Sequence, residues 1–375
     1  MNIGIDVRAL SSKRLTGIGN YIYNCLKYIA EHDKENNYYL LSSGFKNKTP
    51  DWLKFDQANI HHIHIKQSNK LINFKLFLNI GKDLTKFFPV KLDLFWLPNM
   101  IFYKLDKQTP FLLTIHDLSF LHSEEFYSLK RRLWHKCVDI KKLVARADKI
   151  ITVSHNTKRD IIRFFPVSES KIKVLYPGVE VNKMTESNAQ RALAKFKLYN
   201  KYFLYVGTIE PRKNVGAIIK AFDKLHQQYP NIDLVIAGKK GWVFRHLLHQ
   251  VKKRKYIHYL GYISGKEKDA LYYLSQGLIW PSYYEGFGFP PLEATAHGVP
   301  VITSFKTSLP EIMRQQALYI DPYNTADIYQ TLKLLLKDDK MKKYLNDKSK
   351  KFVIPDWPSQ SKKILELFNT MTKKS

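Results

Sequence analysis

Two carboxylates, Glu285 and Glu293, stand eight residues apart in the stretch YYEGFGFPPLEATAHGVPVI, with Gly286, Phe287, Gly288 and Phe289 between them. Glycine lets backbone approach a ligand closely, and prolines just after such a turn suit the first positions of a helix. The apolar run GLIWPS therefore predicts a strand that delivers Glu285 at its carboxyl end. A helix follows, carrying Glu293 about one turn in. Free N–H groups at that helix start attract phosphate. Carboxylates are poor phosphate ligands but accept well from vicinal hydroxyls, so a ligand with hydroxyls on both sides of a diphosphate fits, which is the shape of a nucleotide sugar. Glutamate near a helix start is also favoured by capping and dipole effects alone, the plain structural alternative.

A second constellation is YFLYVGTIEPRKN, where a strand ends on Val206 and Gly207 and a short loop supplies Arg212 and Lys213 before a helix. In open α/β sheets ligands bind outside the carboxyl ends of strands, so the two cations are candidates for a diphosphate. Taken alone, they read equally as surface charges on a loop. Near the amino end, Ile18, Tyr21, Ile22, Cys25, Leu26 and Ile29 recur at helical spacing. The start of that helix presents N–H groups beside Gly17 and Gly19. A lone histidine after a strand, His116 in TIHDL, is most often structural.

Behind these residues, short apolar runs alternate with helical patterns from end to end, the signature of parallel sheets covered by helices. Strands are expected at NIGIDV, YYLLS, HIHI, LDLFW, FLLTI, KIITVS and KIKVL, then at YFLYVG, IDLVIAG, IHYL, GLIWPS and VPVITS. Helices are expected near Val215 to Tyr229, Trp242 to Lys252, Lys266 to Ser275, Pro291 to His297 and Trp357 to Met371. The polar stretch from Asn182 to Asn200 reads as a connector between two α/β units. In LKRRLWHKCVDIKKLVARADK, Leu133, Cys137, Ile140, Leu143, Val144 and Ala147 form one apolar stripe, predicting a core helix with a basic outer face. Contact of that face with an anionic membrane is the alternative.

The 375 residues exceed one ordinary core, favouring two domains. Sixty-one basic against 33 acidic residues give a net charge of +28, which calls for an anionic partner: nucleic acid, acidic lipid or a phosphorylated ligand. Cys25 and Cys137 have neither metal-ligand nor redox spacing and read as buried thiols in a reducing compartment. Asp6 and Arg8 interrupt any signal-peptide core, and no 18-residue apolar run occurs, so a cytoplasmic, non-spanning chain is expected.

The motifs IGIDVRAL, TGIGNY, TIHDLSF, ADKIITVSHNTKRDI, YVGTIEPRKN, LGYIS, PSYYEGFGFPPLEATAHGVPVITS and SLPEI, in that order, closely resemble the retaining glycosyltransferases of family four, with the GT-B architecture. The resemblance covers nearly the whole chain. It implies two Rossmann-like domains facing across a cleft: an acceptor-side domain over residues 1–177 and a nucleotide-sugar domain over 178–356. The final helix, 357–375, crosses back to the first. By the same resemblance Glu285 meets the donor sugar, Glu293 the ribose hydroxyls and Lys213 the diphosphate. Thr208 stands where the family often has arginine, making Arg212 the candidate substitute. Gly17 and Gly19 match the loop over the diphosphate, His116 the histidine near the anomeric centre, and Asp117 a group that orients that ring or binds substrate. Gly261 and Tyr262 fall where the base lies, and Leu309, Pro310 and Glu311 form a loop facing the donor.

The resemblance further implies retention of anomeric configuration, a nucleotide sugar as co-substrate, and no other cofactor. No Asp-x-Asp triplet is present to hold a metal. GDP-mannose ranks first as donor, ahead of UDP-hexoses and dTDP-rhamnose. The acceptor is a glycan or lipid-linked sugar of cell-surface polysaccharide or lipopolysaccharide synthesis, met at the inner face of the cytoplasmic membrane by a peripheral enzyme. Two other classes stay open. A nucleotide-sugar epimerase shares the fold, and a nucleic-acid binder is motivated by charge alone, without a zinc, RNA-recognition or helix-turn-helix signature.

Overall fold

Continuous apolar runs form strands buried on both faces, as parallel sheets require. The computed structural model describes residues 1–11, 15–44, 55, 57–80, 82–241 and 244–372. The chain divides into two units: Met1–Phe120 with Leu129–Gly178 and Pro355–Ser375, and Leu121–Ser128 with Val179–Ile354.

The strands of the first unit are β1 (Asn2–Asp6), β2 (Asn37–Ser43), β3 (Ile60–Ile65), β4 (Leu94–Leu97), β5 (Phe111–Ile115), β6 (Lys149–Thr152) and β7 (Ile172–Val174). They pair in parallel in the order β3-β2-β1-β4-β5-β6-β7. The second unit contributes β8 (Lys201–Val206), β9 (Ile232–Ala237), β10 (Ile257–Gly261), β11 (Gly277–Trp280), β12 (Val301–Ser304) and β13 (Ala317–Ile320), ordered β10-β9-β8-β11-β12-β13. Each sheet reverses its direction of growth once, between β1 and β4 and between β8 and β11. The loops leaving the carboxyl ends of those strands splay to opposite faces there, which opens a crevice at that edge.

Helix Gly17–His32 buries Tyr21, Ile22, Cys25, Leu26 and Ile29, the face its spacing predicts. Both cysteines are free, Cys25 buried and Cys137 half-buried. Helix Trp357–Thr372 lies against helix Gly17–His32 and inserts Trp357 and Phe368 into the first unit, where their rings meet Tyr21 at 5.8 Å and Trp96 at 5.7 Å. A Cβ on Gly178 would run into the Trp357 backbone, so only glycine lets the two chain segments pass.

Several elements differ from the sequence reading. The supposed connector contains helix Glu186–Leu193, capped by Thr185 and packed on helix Gly265–Leu274, so this stretch is part of the second unit. The basic helix is two, Leu129–Cys137 and Ile140–Arg146. Asp139 adopts left-handed backbone (φ 48°) and its carboxylate accepts the Lys142 N–H, starting a new helix where a continuous one was expected. The core stripe thus begins at Ile140, and Leu133 is exposed. The four-residue strand β13 and helices Thr325–Lys337 and Asp339–Lys351 were not anticipated. Helix Phe244–Lys252 matches its expected position, although Trp242 lies outside the described residues. No helix among the described residues is long and apolar enough to cross a membrane.

Candidate functional site

The second unit gathers its candidate residues where its sheet reverses. From β8 the chain runs through Gly207 and Thr208 into a tight turn, Pro211–Lys213, and Asn214 in left-handed backbone (φ 56°) leads into helix Val215–Gln228. Gly207 is confined by the Trp280 ring, which an added Cβ would meet at 2.8 Å. Trp280, at the end of β11, stacks on Tyr205 at 5.2 Å and lies under Lys213 Nζ at 4.6 Å. From β11 the chain reaches Glu285, whose carboxylate meets Lys213 Nζ at 2.5 Å and Arg212 Nη1 at 3.2 Å. The Arg212 guanidinium also donates to the Tyr284 carbonyl at 2.7 Å and to Glu210 at 2.8 Å.

Two cations and two carboxylates thus form a closed, nearly dry network. Burial pushes the Glu285 carboxyl up, but Lys213 and then Arg212 outweigh it and hold the group below its ordinary range. The Lys213 ammonium moves down, driven by burial first and Arg212 second against the pull of Glu285. Arg212, expected as a second phosphate cation, is here committed to carboxylates and a carbonyl.

The glycine turn is held by residues that sequence reasoning passed over. Ser308 Oγ donates to the carbonyls of Glu285 (3.0 Å) and Phe287 (2.8 Å), while Thr307 Oγ1 accepts the Glu285 N–H at 2.9 Å. Gly288 has φ 115°, a left-handed geometry that side chains resist, and opens helix Phe289–Ala296. Phe287 is buried, its ring 5.1 Å from that of Phe289.

Glu293, on that helix, accepts from Lys268 Nζ (2.5 Å) and the Tyr272 hydroxyl (2.9 Å). Both donors project from helix Gly265–Leu274, which begins in a capping box of Ser264 and Glu267. Behind Tyr272 its ring stacks on His297, whose Nε2 lies 3.1 Å from Asp269, itself bound by Asn182 at 2.7 Å. Burial pulls Lys268 down and Glu293 more than reverses it, leaving the ammonium above its ordinary value. Sequence reading passed over Lys268, although its place four residues before Tyr272 on an expected helix was an available signal. Gly261 ends β10 with φ 72°, and the half-exposed Tyr262 ring beside it lies 5.4 Å from Lys239 Nζ.

The first unit brings together a different set. Thr16 caps helix Gly17–His32 by accepting the Gly19 N–H at 3.3 Å, and among the described residues nothing lies within 4 Å of a Cβ added at Gly17. One turn on, Tyr21 meets the His116 ring edge-to-face at 4.8 Å. His116 Nε2 lies 2.8 Å from the Pro98 carbonyl, which only accepts, so this nitrogen carries the proton in the neutral ring. Burial pushes its pKa down, against the Pro98 carbonyl and Asp117. Asp117 accepts from the Ser119 N–H (3.1 Å) and hydroxyl (2.5 Å). An unforeseen ion pair lies nearby in sequence: Arg8 grips Asp6 through Nε at 2.9 Å and Nη2 at 2.6 Å, both side chains fully buried at the end of β1.

A model described as Glycosyltransferase Family 4 matches residues 15–183, and one described as Glycosyl transferases group 1 matches residues 187–352. The chain belongs to glycosyltransferase family four. A relative of this family-four protein, the O-antigen chain mannosyltransferase B of Escherichia coli, is 33% identical over 241 residues, 60% of this chain and 61% of that one. The chain therefore matches about three fifths of that relative's length. Its fold is that of the GT-B glycosyltransferases. Sucrose-phosphate synthase from Thermosynechococcus elongatus superposes with a TM-score of 0.76 at 18% identity, covering all of both chains. Anabaena Alr3699/HepE, solved in complex with UDP-glucose, does so at 0.72 with 15% identity over 99% of this chain and 100% of its own.

Proposed function

We propose that this protein is a retaining mannosyltransferase that moves mannose from GDP-mannose to a glycan or lipid-linked acceptor in cell-surface polysaccharide synthesis, acting from the cytoplasmic side. The observation that carries the transferase reading is the cluster of Lys213, Arg212 and Glu285 where the second sheet reverses, beside the starts of helices Val215–Gln228 and Phe289–Ala296. The mannose assignment is supported by the E. coli relative's name.

In this reading the Lys213–Glu285 pair is a resting arrangement. An arriving diphosphate takes Lys213, and Glu285, released on one side, accepts from a sugar hydroxyl. Glu293, oriented by Lys268 and Tyr272, accepts from the ribose hydroxyls. The acceptor oxygen attacks the anomeric carbon as its bond to the phosphate oxygen breaks. The acceptor's proton passes to that departing oxygen, and the sugar keeps its configuration. Charge growing on the diphosphate is met by Lys213 and by helix N–H groups fixed before reaction, which is where a preorganised site gains most. The donor and acceptor supply the reacting groups, so no further cofactor takes part.

A thermal-shift panel of GDP, UDP, dTDP and their sugar conjugates tests the assignment, since a ligand of the folded state raises its melting temperature. GDP and GDP-mannose are expected to shift it, and Glu293→Ala to weaken the shift. A shift with UDP or dTDP alone would reassign the donor. No shift with any nucleotide in folded protein would sink the reading.

A further inference from the structure

The first unit exposes apolar side chains in an unusually dense run. Helix Asn69–Phe77 buries Ile72 and Leu76 but leaves Leu71, Phe74 and Phe77 39%, 57% and 49% exposed, and Leu78 and Ile80 just beyond it are 46% and 71% exposed. Phe102 links this helix to helix Leu129–Cys137, its ring 6.0 Å from Phe77 and 6.1 Å from Trp134. That second helix buries none of its residues, and Leu129 and Leu133, one turn apart, are 81% and 63% exposed. Scattered apolar side chains are normal on a surface, but a cluster of this kind marks a binding face.

Charge decides what binds. From Gln57 to Lys82 and from Leu129 to Val138 the sequence holds no Asp or Glu. The two helices carry Lys70 and Lys75, and Lys130, Arg131, Arg132 and Lys136. We propose that these helices form a docking face for an anionic lipid bilayer, with Phe74, Leu78, Ile80, Leu129 and Leu133 entering the headgroup boundary and the basic side chains lying among anionic headgroups. Long cationic side chains lay their stems on apolar surface while keeping the charge at the interface. A second copy of this chain is disfavoured as occupant, because a self-complementary contact would set basic face on basic face. The inference deepens the reading of a lipid-linked acceptor, and it is read out on lipid alone.

Sedimentation of the full chain with vesicles provides the test. Wild type is expected to pellet with phosphatidylcholine vesicles containing phosphatidylglycerol and to stay in solution with phosphatidylcholine alone. The variant Phe74→Ser/Leu78→Ser/Ile80→Ser, which spares Phe77 against Phe102, should bind at least about tenfold more weakly, since affinity scales with buried apolar area. Lys130→Gln/Lys136→Gln should lose about twenty-five-fold, at roughly fivefold per basic residue. Circular dichroism and the nucleotide thermal shift should be unchanged in both. The proposal is overturned if wild type ignores anionic vesicles, if the triple variant binds as wild type does, or if sedimentation velocity shows a dimer that the triple variant dissolves. Vesicle binding by a protein whose melting no nucleotide shifts would uphold the docking face and sink the transferase reading.

Discussion

Glu285 lies 2.5 Å from Lys213 and 3.2 Å from Arg212 with its side chain 7% exposed, whereas Glu293, one turn into the next helix, meets Lys268 at 2.5 Å and the Tyr272 hydroxyl at 2.9 Å with 14% exposed. The first carboxylate is shared by two cations that are themselves nearly dry. The second is shared by one cation, 27% exposed, and a neutral donor. Water reaches Lys268 beside Glu293 more readily than Lys213 beside Glu285, which is 11% exposed. Two glutamates of similar spacing and family resemblance therefore differ in what their loss leaves behind: an uncompensated buried charge in one case, a wetted lysine in the other.

The sharpest test of that difference is Lys213→Ala. It strands Glu285 with Arg212 alone, so a loss of about 3 kcal/mol in stability is expected, near the lower end for breaking a buried pair. Removal of a preorganised donor from the leaving group should also lower kcat by about a hundredfold or more. Chemical denaturation and steady-state kinetics measure both. A variant that keeps its stability would show that the two carboxylates are alike after all.

Glu293→Ala comes next. It is expected to weaken donor binding by about tenfold to a hundredfold, the worth of charged hydrogen bonds, with little change in stability. Isothermal titration with the nucleotide sugar reads this directly. A stability loss as large as that of Lys213→Ala would erase the contrast.

Tyr272→Phe removes one hydroxyl and leaves the Lys268 contact, so a loss of roughly 1 kcal/mol, about fivefold in donor affinity, is expected. Its KM should rise while kcat holds. A fall in kcat alone would move Tyr272 from positioning the ribose ligand to the chemistry.

The smallest effect concerns His116 of the other unit. Its imidazole should titrate below 6.5 when followed by NMR, since burial favours the neutral ring. The folded pKa is depressed, so this stabilisation is full above the unfolded value and is lost as pH falls through the folded one. His116→Asn should consequently lose less melting temperature than wild type between pH 7 and pH 5. A midpoint at or above 6.5 would make the ring a charged group.

Sequence alone was enough for twelve of the thirteen described strands. Runs such as FLLTI and YFLYV are apolar throughout because both faces of a parallel strand are covered, and that pattern survives without knowledge of partners. β13 escaped because ALYI has four residues and its middle two are only half-buried. The break at Asp139 escaped because apolar periodicity continues across it, while the cap that restarts the helix is a single side chain accepting one N–H. In the candidate site, Glu285, Lys213 and Glu293 could be picked out by residue type near glycine turns. Their partners could not: Lys268 and Ser308 lie 25 and 23 residues from the glutamates they contact, on elements whose meeting is set by topology.

The helix Trp357–Thr372 completes the core of a unit whose other segments end at Gly178. During synthesis the first unit must wait for the second to be made before Trp357 and Phe368 can fill their places beside Tyr21 and Trp96. At 5–20 residues per second that interval is roughly 10–35 s, ample for the second unit to fold first. The amino-terminal half is thus the later one to mature, and a ribosome that stalls anywhere in the second half releases a chain with an open, apolar wound in the first.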